Sequence, residues 1–414
     1  MKAVVIGLGY VGLPLAHAAA TSGIQVTGLE INRKVVDSLN SGSSHIGDLS
    51  NNDVSDAVGK GFRATTEPSC IKEADVVVIC VPTPLDHDGH PDLAAVMSAA
   101  TMIKQNLSVG TTVILESTTY PGTTDEILLP MFELDGRTCG KDFYLAFSPE
   151  RIDPGNSKFG IKNTPKVIGG VTPRCSEMAR IFYENFVERT VIAKGAREAE
   201  TAKLLENTYR HINIALVNEL AQLSHQLGID IWNVIECAST KPFGFQPFWP
   251  SAGVGGHCIP IDPNYLAFKV RDELDKPFRF IELAEEINHG MPSYVASRIS
   301  EMLSLNGAKV CLLGVTYKQN IPDQRESPAI PLAKALITMG ATITYFDPYV
   351  KSWAVDGKSV KSMSDIGSAI TENDVVVILQ SHKVFIEAEV DFSSSKTLIF
   401  DATGKFAGDN VTRL

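Results

Sequence analysis

The sequence predicts an α/β protein with two Rossmann-like parallel-sheet domains, joined by a long central helix and a helical dimerisation region. Three observations support this fold class: a glycine-rich turn between a strand and a helix near residue 7, a helical apolar pattern over 196–227, and a second series of strands over 309–401. Strands that alternate with helical patterns are typical of parallel sheets. We therefore expect three segments, 1–195, 196–295 and 296–414.

The composition excludes several classes of protein. A chain of 414 residues is too long for one hydrophobic core. Its formal net charge of -11 argues against a nucleic-acid partner, which would require a basic surface. No apolar run approaches the roughly 18 residues that span a bilayer, and the first residues lack the features of a signal peptide. The seven cysteines are scattered and form no CxxC pair, a pattern typical of reduced thiols. We expect a cytoplasmic protein that binds no membrane.

The first strand leads directly into a dinucleotide-binding fingerprint. Lys2 to Ile6 is an apolar strand, and the G-x-G-x-x-G turn that follows it precedes an alanine-rich helical stretch. In this setting Gly7 permits the tight turn, Gly9 lets the backbone approach a pyrophosphate, and Gly12 lets the helix pack on the strand. The sequence therefore predicts a dinucleotide site here.

Glu30 predicts which dinucleotide is bound. It ends the second apolar strand and lies 18 residues after Gly12, where a carboxylate binds the ribose hydroxyls of NAD and repels the extra phosphate of NADP. Asn32 and Arg33 follow closely and leave NADP open. We predict NAD as the cofactor.

Several further strands deliver polar groups to one edge of the sheet. Apolar runs of strand length end before Pro82-Thr83, before Ser117-Thr118-Thr119 and before Ser148-Pro149-Glu150-Arg151. In parallel sheets ligands bind at the carboxyl ends of the strands, although structural turns would also explain each segment. The loop 86–92 is rich in Asp and His, but its spacing matches neither a calcium loop nor a zinc site. We predict no metal.

The helical pattern over 196–227 carries a polar stripe. Lys203, Asn207 and Arg210 are spaced to share one face, and Asn213 continues it. A solvated face is one interpretation, but the stripe lacks alternating Glu and Lys residues, which favours a ligand-facing surface. The long helix is also a candidate for a subunit interface.

A Gly/Pro turn over 253–263 carries Cys258 and, four residues later, Asp262. Three glycines in four residues allow a tight backbone and a close approach by another molecule. The turn is either a structural loop with a half-buried cysteine or a rigid support for a nucleophile. The second α/β half lacks the glycine fingerprint but places Lys318 and Arg325 at the equivalent edge, which suggests a phosphorylated ligand. A surface turn paired with acidic neighbours is the alternative.

These features together resemble the nucleotide-sugar 6-dehydrogenases, the UDP-glucose/GDP-mannose dehydrogenase family, over essentially the whole chain. The version of the motifs is most similar to the UDP-N-acetylglucosamine and UDP-N-acetylmannosamine branch. The matching segments are GLGYVG at 7–12, CVPTP at 80–84, ESTTYPGTT at 116–124, FSPERIDPGN at 147–156, AKLLENTYRHINIALVNE at 202–219, GVGGHCIPIDP at 253–263 and YKQNIPDQRESPA at 317–329.

The resemblance implies a four-electron oxidation of a sugar C6 alcohol to a carboxylate, with two NAD reduced. It implies that Cys258 forms a thiohemiacetal and then a thioester, and that Lys203 and Asn207 stabilise the oxyanion. It further implies that Asp262 assists proton transfer and that Glu150, with Thr119, activates the hydrolytic water. The implied cofactor contacts are Gly7, Gly9, Tyr10, Val11, Gly12, Glu30, Arg33, Pro82, Thr83, Thr118 and Lys318, the last also a candidate for the nucleotide sugar. The implied substrate contacts are Arg151, Arg210, His211, Asn213, Gly255, Gly256 and Arg325.

The expected substrate is a UDP-N-acetylhexosamine, with UDP-N-acetylglucosamine favoured, for surface polysaccharide synthesis. UDP-N-acetylmannosamine, UDP-N-acetylgalactosamine and UDP-glucose remain alternatives. A two-electron hydroxyacid-type dehydrogenase and a non-catalytic sensor of NAD or UDP-sugar are the rival functions. The resemblance also implies a homodimer or higher homo-oligomer.

Overall fold

The computed structural model describes residues 1–47, 49–153, 156, 158–256, 259–388 and 396–414. The chain divides into two compact units, Met1–Glu206 with Asn264–Lys276, and Asn207–Pro263 with Pro277–Leu414. The division into segments 1–195, 196–295 and 296–414 stays a prediction. Within the described ranges, no helix combines the length and the apolar character needed to cross a membrane.

The first unit is built on an eight-stranded sheet. Its strands are β1 (Lys2–Ile6), β2 (Gln25–Leu29), β3 (Arg63–Thr65), β4 (Val76–Ile79), β5 (Thr112–Leu115), β6 (Tyr144–Phe147), β7 (Lys166–Gly170) and β8 (Thr190–Ile192). They are ordered β3-β2-β1-β4-β5-β6-β7-β8 across the sheet. β4 and β5 are buried along their whole length, which explains their continuous apolar sequences.

The direction of the strands decides which residues meet at the edge of this sheet. β1 to β6 pair in parallel, but β7 pairs antiparallel with β6, and β8 follows the direction of β7. The register places Phe147 opposite both Leu115 of β5 and Gly169 of β7. Lys166, the first residue of β7, therefore lies at the edge where β5 and β6 end.

Helices cover both faces of the first sheet, as the fold class predicts. α1 begins at Gly12, directly after the glycine turn, and buries Leu13 and Leu15 against the sheet. The α-helices that begin in this unit are α1 (Gly12–Thr21), α2 (Arg33–Asn40), α3 (Asn51–Gly59), α4 (Ala94–Asn106), α5 (Leu129–Glu133), α6 (Pro173–Tyr183) and α7 (Ala196–Gln226). A 3₁₀ helix over Pro68–Glu73 and a π-helix over Thr123–Leu128 also lie in it. α7 is the predicted long central helix, and it ends two residues before Gly228, whose φ is +68°.

The second unit contains a six-stranded parallel sheet, ordered β13-β10-β9-β14-β15-β16, and a separate hairpin of β11 and β12. Its strands are β9 (Lys309–Leu313), β10 (Thr342–Phe346), β11 (Ala354–Val355), β12 (Lys358–Ser359), β13 (Lys361–Ser362), β14 (Val375–Ile378), β15 (Leu398–Asp401) and β16 (Val411–Arg413). The remaining helices are α8 (Ile231–Ser239), α9 (Asp262–Leu274), α10 (Arg279–Met302), α11 (Ala329–Thr338), α12 (Ile366–Thr371) and α13 (Lys383–Glu387). The predicted pair of Rossmann-like sheets is confirmed.

Candidate active site

The three glycines of the N-terminal turn have different steric surroundings. Gly7 has a φ of +86°, and a Cβ on it would lie 2.7 Å from the Cys80 carbonyl oxygen. A Cβ on Gly12 would lie 1.9 Å from the Gly7 oxygen, so only glycine fits where α1 meets the turn. Among the described residues, no atom lies within 4 Å of a Cβ placed on Gly9, so this part of the turn is open to a ligand. Tyr10 is 36% exposed beside it. The geometry fits a dinucleotide pyrophosphate.

Glu30 is fixed beside this turn by backbone amides. Its carboxylate accepts the N–H of Leu8 at 3.1 Å and the N–H of Asn32 at 3.0 Å. The carboxylate therefore lies next to the glycine turn, where a ribose would bind. Arg33 pairs with Asp37 at 3.2 Å on the surface. A carboxylate at this place, with the nearby cation already paired, favours NAD over NADP.

The residues after β4 and β5 lie at the same edge of the sheet as the glycine turn. Pro82 is exposed and Thr83 is half-buried, and the Thr83 carbonyl accepts the Tyr265 hydroxyl at 2.9 Å. Thr118 is half-buried, whereas Thr119 is fully buried. The Thr119 hydroxyl has no hydrogen-bond partner among the described residues. Because buried hydroxyls are normally bonded, Thr119 keeps its predicted place as a candidate catalytic residue.

A buried polar cluster surrounds Glu116, the residue after β5. Lys166 Nζ contacts one Glu116 oxygen directly, and the Tyr183 hydroxyl donates to the other at 3.1 Å. Lys166 also lies 3.8 Å from a carboxylate oxygen of Glu150. Burial raises the pKa of Glu116 to about 7. The nearby charge of Lys166 opposes this rise, and the neighbouring Glu150 carboxylate adds to it. The sequence analysis did not identify Glu116, Lys166 or Tyr183, although a lysine opening an apolar strand was a usable signal.

Arg151 is held within the first unit. Its guanidinium pairs with Glu206 at 2.7 Å and donates to the Pro165 carbonyl at 2.6 Å. Glu200, six residues before Glu206 on α7, is fully buried, and it accepts the N–H groups of Gly122 and Thr124 at 2.7 and 2.9 Å. These contacts fix the start of α7 against the segment that follows Thr119. The substrate contact of Arg151 stays a prediction.

Lys203 and Asn207 lie one helical turn apart on α7, and both side chains are buried. The Asn207 amide donates to a carboxylate oxygen of Asp262 at 2.5 Å. Asp262 is itself only 3% exposed and is the first residue of α9. A buried amide and a buried carboxylate require each other as partners. The structure therefore brings together two of the predicted catalytic residues, which are 55 positions apart in the sequence.

Cys258 lies outside the described residues, but the glycines before it are well defined. Gly256 has a φ of +86°, and its N–H donates to the Arg325 carbonyl at 3.0 Å. A Cβ on Gly255 would lie 2.7 Å from the Glu326 oxygen, and one on Gly256 would lie 2.8 Å from the Tyr317 ring. Only glycine permits this close packing. The predicted segments 253–263 and 317–329 are therefore in contact.

A buried hydrogen-bond network supports the start of this turn. Asn218 accepts the N–H of Ser251 at 2.9 Å and donates to Asn288 at 3.0 Å. Asn288 donates in turn to the His211 carbonyl at 3.3 Å, and His211 Nε2 lies 3.1 Å from Glu285. The sequence analysis missed Asn218 and Asn288, because only the packing of α7 against α10 brings them together. His211 is 1% exposed in this chain, and its substrate contact stays a prediction.

The remaining predicted substrate residues are more accessible. Arg210 is exposed, and the Asn213 amide donates to the Tyr209 carbonyl at 2.7 Å. Lys318 is half-buried. Arg325 makes a forked ion pair with Asp323, with a shortest N–O distance of 2.6 Å. This contact agrees with the alternative interpretation, a surface turn paired with acidic neighbours.

The loop after Pro84 contains the carboxylates and imidazole that the sequence analysis weighed as metal ligands. Ligand atoms of Asp86, Asp88 and His90 lie within 4.8 Å of one another, and all three residues are exposed. One Asp86 oxygen already accepts the N–H groups of Asp88 and His90 at 2.8 and 2.9 Å. These bonds explain the loop as a polar turn.

Comparison with known families agrees with this arrangement. Three family models match in chain order: the NAD binding domain of the UDP-glucose/GDP-mannose dehydrogenase family over residues 1–187, its central domain over 197–290 and its UDP binding domain over 311–407. The chain belongs to the UDP-glucose/GDP-mannose dehydrogenase family. The predicted resemblance, the NAD cofactor and the class of NAD-dependent nucleotide-sugar dehydrogenase are confirmed.

Individual members of the family are similar over nearly the whole chain. A UDP-N-acetyl-D-mannosamine dehydrogenase of Methanocaldococcus jannaschii is 38% identical over 384 residues, which cover 91% of this chain and 85% of that protein. A UDP-N-acetyl-D-glucosamine 6-dehydrogenase of Pseudomonas aeruginosa is 34% identical over 393 residues, 93% of this chain and 91% of that protein. The solved structure of a UDP-D-ManNAc dehydrogenase from Pyrococcus horikoshii has a TM-score of 0.90 at 32% identity and covers 100% of this chain and 98% of that chain. Relatives of similar identity thus carry different sugar names.

We predict that alanine at Gly9 and alanine at Gly12 will have different effects. Gly12→Ala places a methyl group against a backbone oxygen, so the free energy of unfolding should fall by about 1–3 kcal/mol. Gly9→Ala meets no neighbouring atom, so stability should change by less than about 0.5 kcal/mol. NAD affinity should nevertheless fall in Gly9→Ala, because the methyl group enters the space of the pyrophosphate. Chemical denaturation and calorimetric titration with NAD measure both effects; equal losses of stability would contradict the assignment.

We also predict a pH dependence of stability from Glu116. Folding raises its pKa from 4.5 to about 7, so the folded state binds this proton more tightly. The protonated Glu116 side chain stabilises the folded state fully below about pH 4.5. This contribution is lost as the pH rises through about 7, and the free energy of unfolding falls by about 3 kcal/mol. In Glu116→Gln the free energy of unfolding should therefore change less with pH between these limits. Urea denaturation at a series of pH values measures this difference. Parallel curves for the two proteins would show that Glu116 does not titrate in this range.

Proposed function

We propose that this chain oxidises the C6 hydroxymethyl group of a UDP-N-acetylhexosamine to the uronate in a four-electron reaction that consumes two NAD. The observation that carries the proposal is the buried hydrogen bond between Asn207 and Asp262. Burying a polar pair in this way is costly unless the groups satisfy each other, and here the pair joins the predicted oxyanion helix to the residue four positions after Cys258. Membership of the family supports the same reaction class.

In the proposed mechanism, Cys258 holds the sugar covalently between the two oxidations. After the first oxidation its thiol adds to the C6 aldehyde and gives a thiohemiacetal; the second oxidation converts this to a thioester. Water then attacks the acyl carbon, the carbon–sulfur bond breaks, and the uronate leaves with the thiol restored. Bound NAD supplies a hydride acceptor for each oxidation.

The other predicted catalytic residues have roles that match their environment. Asn207 and Lys203 donate to the oxygen on C6, and preorganised donors of this kind stabilise developing negative charge. Asp262 orients the Asn207 amide through the observed hydrogen bond and assists proton transfer. Glu150, with Thr119, positions the water that hydrolyses the thioester and accepts its proton.

UDP-N-acetylglucosamine is the favoured substrate, and UDP-N-acetylmannosamine, UDP-N-acetylgalactosamine and UDP-glucose are the alternatives within the same chemistry. The proposed contacts to the nucleotide sugar come from Arg151, Arg210, His211, Asn213, Gly255, Gly256 and Arg325, with Lys318 at the same edge as Arg325. A UDP-uronate produced in the cytoplasm would serve the synthesis of a surface polysaccharide.

We infer that the active form is a homodimer or a higher homo-oligomer. The second half of α7 exposes Leu216, Leu220 and Leu223, and Leu227 directly after its end is exposed as well; each is between 41% and 72% accessible. Their spacing of four, three and four residues places them along one side of the helix. An apolar helical stripe of this kind is suited to packing against its copy in a second chain.

We predict two NADH per sugar oxidised. A spectrophotometric assay across UDP- and GDP-sugars, run to completion with limiting sugar, measures the ratio and identifies the substrate. A ratio of two with a UDP-N-acetylhexosamine supports the proposal, because the thioester route requires two hydride transfers. A ratio of one would instead indicate a two-electron dehydrogenase, and no NADH with any sugar would favour a sensor.

We predict that Cys258→Ala will abolish steady-state turnover, because no thiol remains to trap the aldehyde. Cys237→Ala is the matched control, since Cys237 is an exposed, free cysteine on α8; it should retain nearly full activity. Cys258→Ser should also fail to complete turnover, because an ester is hydrolysed less readily than a thioester. Full activity in Cys258→Ala would contradict covalent catalysis.

A further inference from the structure

The reversed direction of β7 creates an arrangement that a fully parallel sheet would lack. Because β7 runs antiparallel to β6, its first residue lies at the edge where β5 and β6 end. Lys166 is thereby placed between Glu116, which follows β5, and Glu150, which follows β6. Its side chain is 9% exposed and that of Glu116 is fully buried. One buried cation thus faces two carboxylates from neighbouring strands.

The neutral groups of the cluster hold Lys166 in this position. The Tyr183 hydroxyl donates to Glu116 at 3.1 Å, and Lys166 Nζ lies 5.0 Å from the centre of the Tyr183 ring. The Cys80 thiol, which follows β4, lies 4.0 Å from Glu116. Burial holds the pKa values of Cys80 and Tyr183 well above their usual ranges, so both stay protonated. The charges in contact with Lys166 are those of Glu116 and Glu150.

The Glu150 carboxylate is held from two sides. One of its oxygens accepts the N–H of Ile152, and the other lies 3.8 Å from Lys166. Arg151, the adjacent cation, is directed to Glu206 at 2.7 Å. Glu150 and Lys166 line the same cavity, together with Ile152, Pro165 and Tyr183. At 3.8 Å the opposite charges of Lys166 and Glu150 attract each other.

We propose that Lys166, fixed by Glu116, is a positioning residue that holds the Glu150 carboxylate in place for thioester hydrolysis. The inference rests on the proposed role of Glu150 in thioester hydrolysis. In that step the water oxygen bonds to the acyl carbon and the carbon–sulfur bond breaks. One water proton passes to Glu150 and then to the departing sulfur, so the step needs no further reactant.

The contacts predict a selective effect for substitution of Lys166. Lys166→Met removes the cation that lies 3.8 Å from Glu150, so thioester hydrolysis should slow while the two oxidations keep their rates. Lys166→Arg keeps the positive charge and should restore part of the hydrolysis rate. A merely structural role would slow all steps together and would gain nothing from the retained charge.

The test separates thioester hydrolysis from the oxidations. In single turnovers with excess NAD, NADH formation is followed by absorbance and decay of the enzyme-bound adduct by intact-protein mass. Adduct decay should slow by about 10- to 100-fold in Lys166→Met with NADH formation unchanged, and Lys166→Arg should lie between Lys166→Met and the unsubstituted protein. Tyr183→Phe, which removes a hydrogen bond to Glu116 but no charge, should slow adduct decay less than Lys166→Met. Glu150→Gln should accumulate the adduct.

Two results would overturn the inference: unchanged adduct decay in Lys166→Met, or an equal slowing of NADH formation and adduct decay in that variant. Failure of the proposed function is seen separately, because the unsubstituted protein would then form no NADH and no adduct. In that case a double-mutant cycle of Lys166→Met and Glu150→Gln still tests whether these two residues interact, with the thermal unfolding midpoint as the measured quantity. Non-additive shifts support the pairing, and additive shifts overturn it.

Discussion

The parallel pairing of β1, β4, β5 and β6 is the constraint on which the first unit depends. Hydrogen bonds between these strands bring their carboxyl ends to one edge, and each strand there is followed by a polar or glycine-rich segment. The glycine turn, the threonines after β5 and Glu150 after β6 are neighbours for this reason. An edge formed in this way collects chemistry from distant parts of the sequence. The apolar strands supply the rigidity, and the residues after them supply the function.

The two sheets show how the same backbone pattern can lose an open site. Glu30, after β2, accepts the N–H of Leu8 and stays partly accessible beside the glycine turn. Asp347, after β10, accepts the N–H of Val315 at 2.7 Å in the equivalent position. However, Asp347 is buried and lies 3.2 Å from Nε2 of the fully buried His382. The second carboxylate is therefore occupied by the protein itself, which agrees with the absence of a glycine fingerprint after β9 in the sequence.

The sequence predicted best those features that local geometry determines. The separate roles of Gly7 and Gly12 follow from spacing alone, because the clashes involve atoms within a few residues or on the adjacent strand. The end of α7 before Gly228 is local for the same reason. The direction of β7 and the support of the Cys258 turn by Asn218 were not predictable, since both depend on pairing between segments distant in sequence. Periodicity shows that a strand exists but does not show which way it runs.

The buried charges at this edge indicate what the fold has been adapted to do. Replacing a buried ion pair by well-packed apolar residues is often neutral or stabilising by about 1–4 kcal/mol. Glu116 and Lys166 could therefore be apolar in a sheet whose only task was to be stable. They are joined to Glu150, whereas Phe132 and Phe143 in the same unit are fully buried and apolar. The charged cluster lies at the edge that carries the proposed site, and the proposed role of Lys166 accounts for its cost in stability.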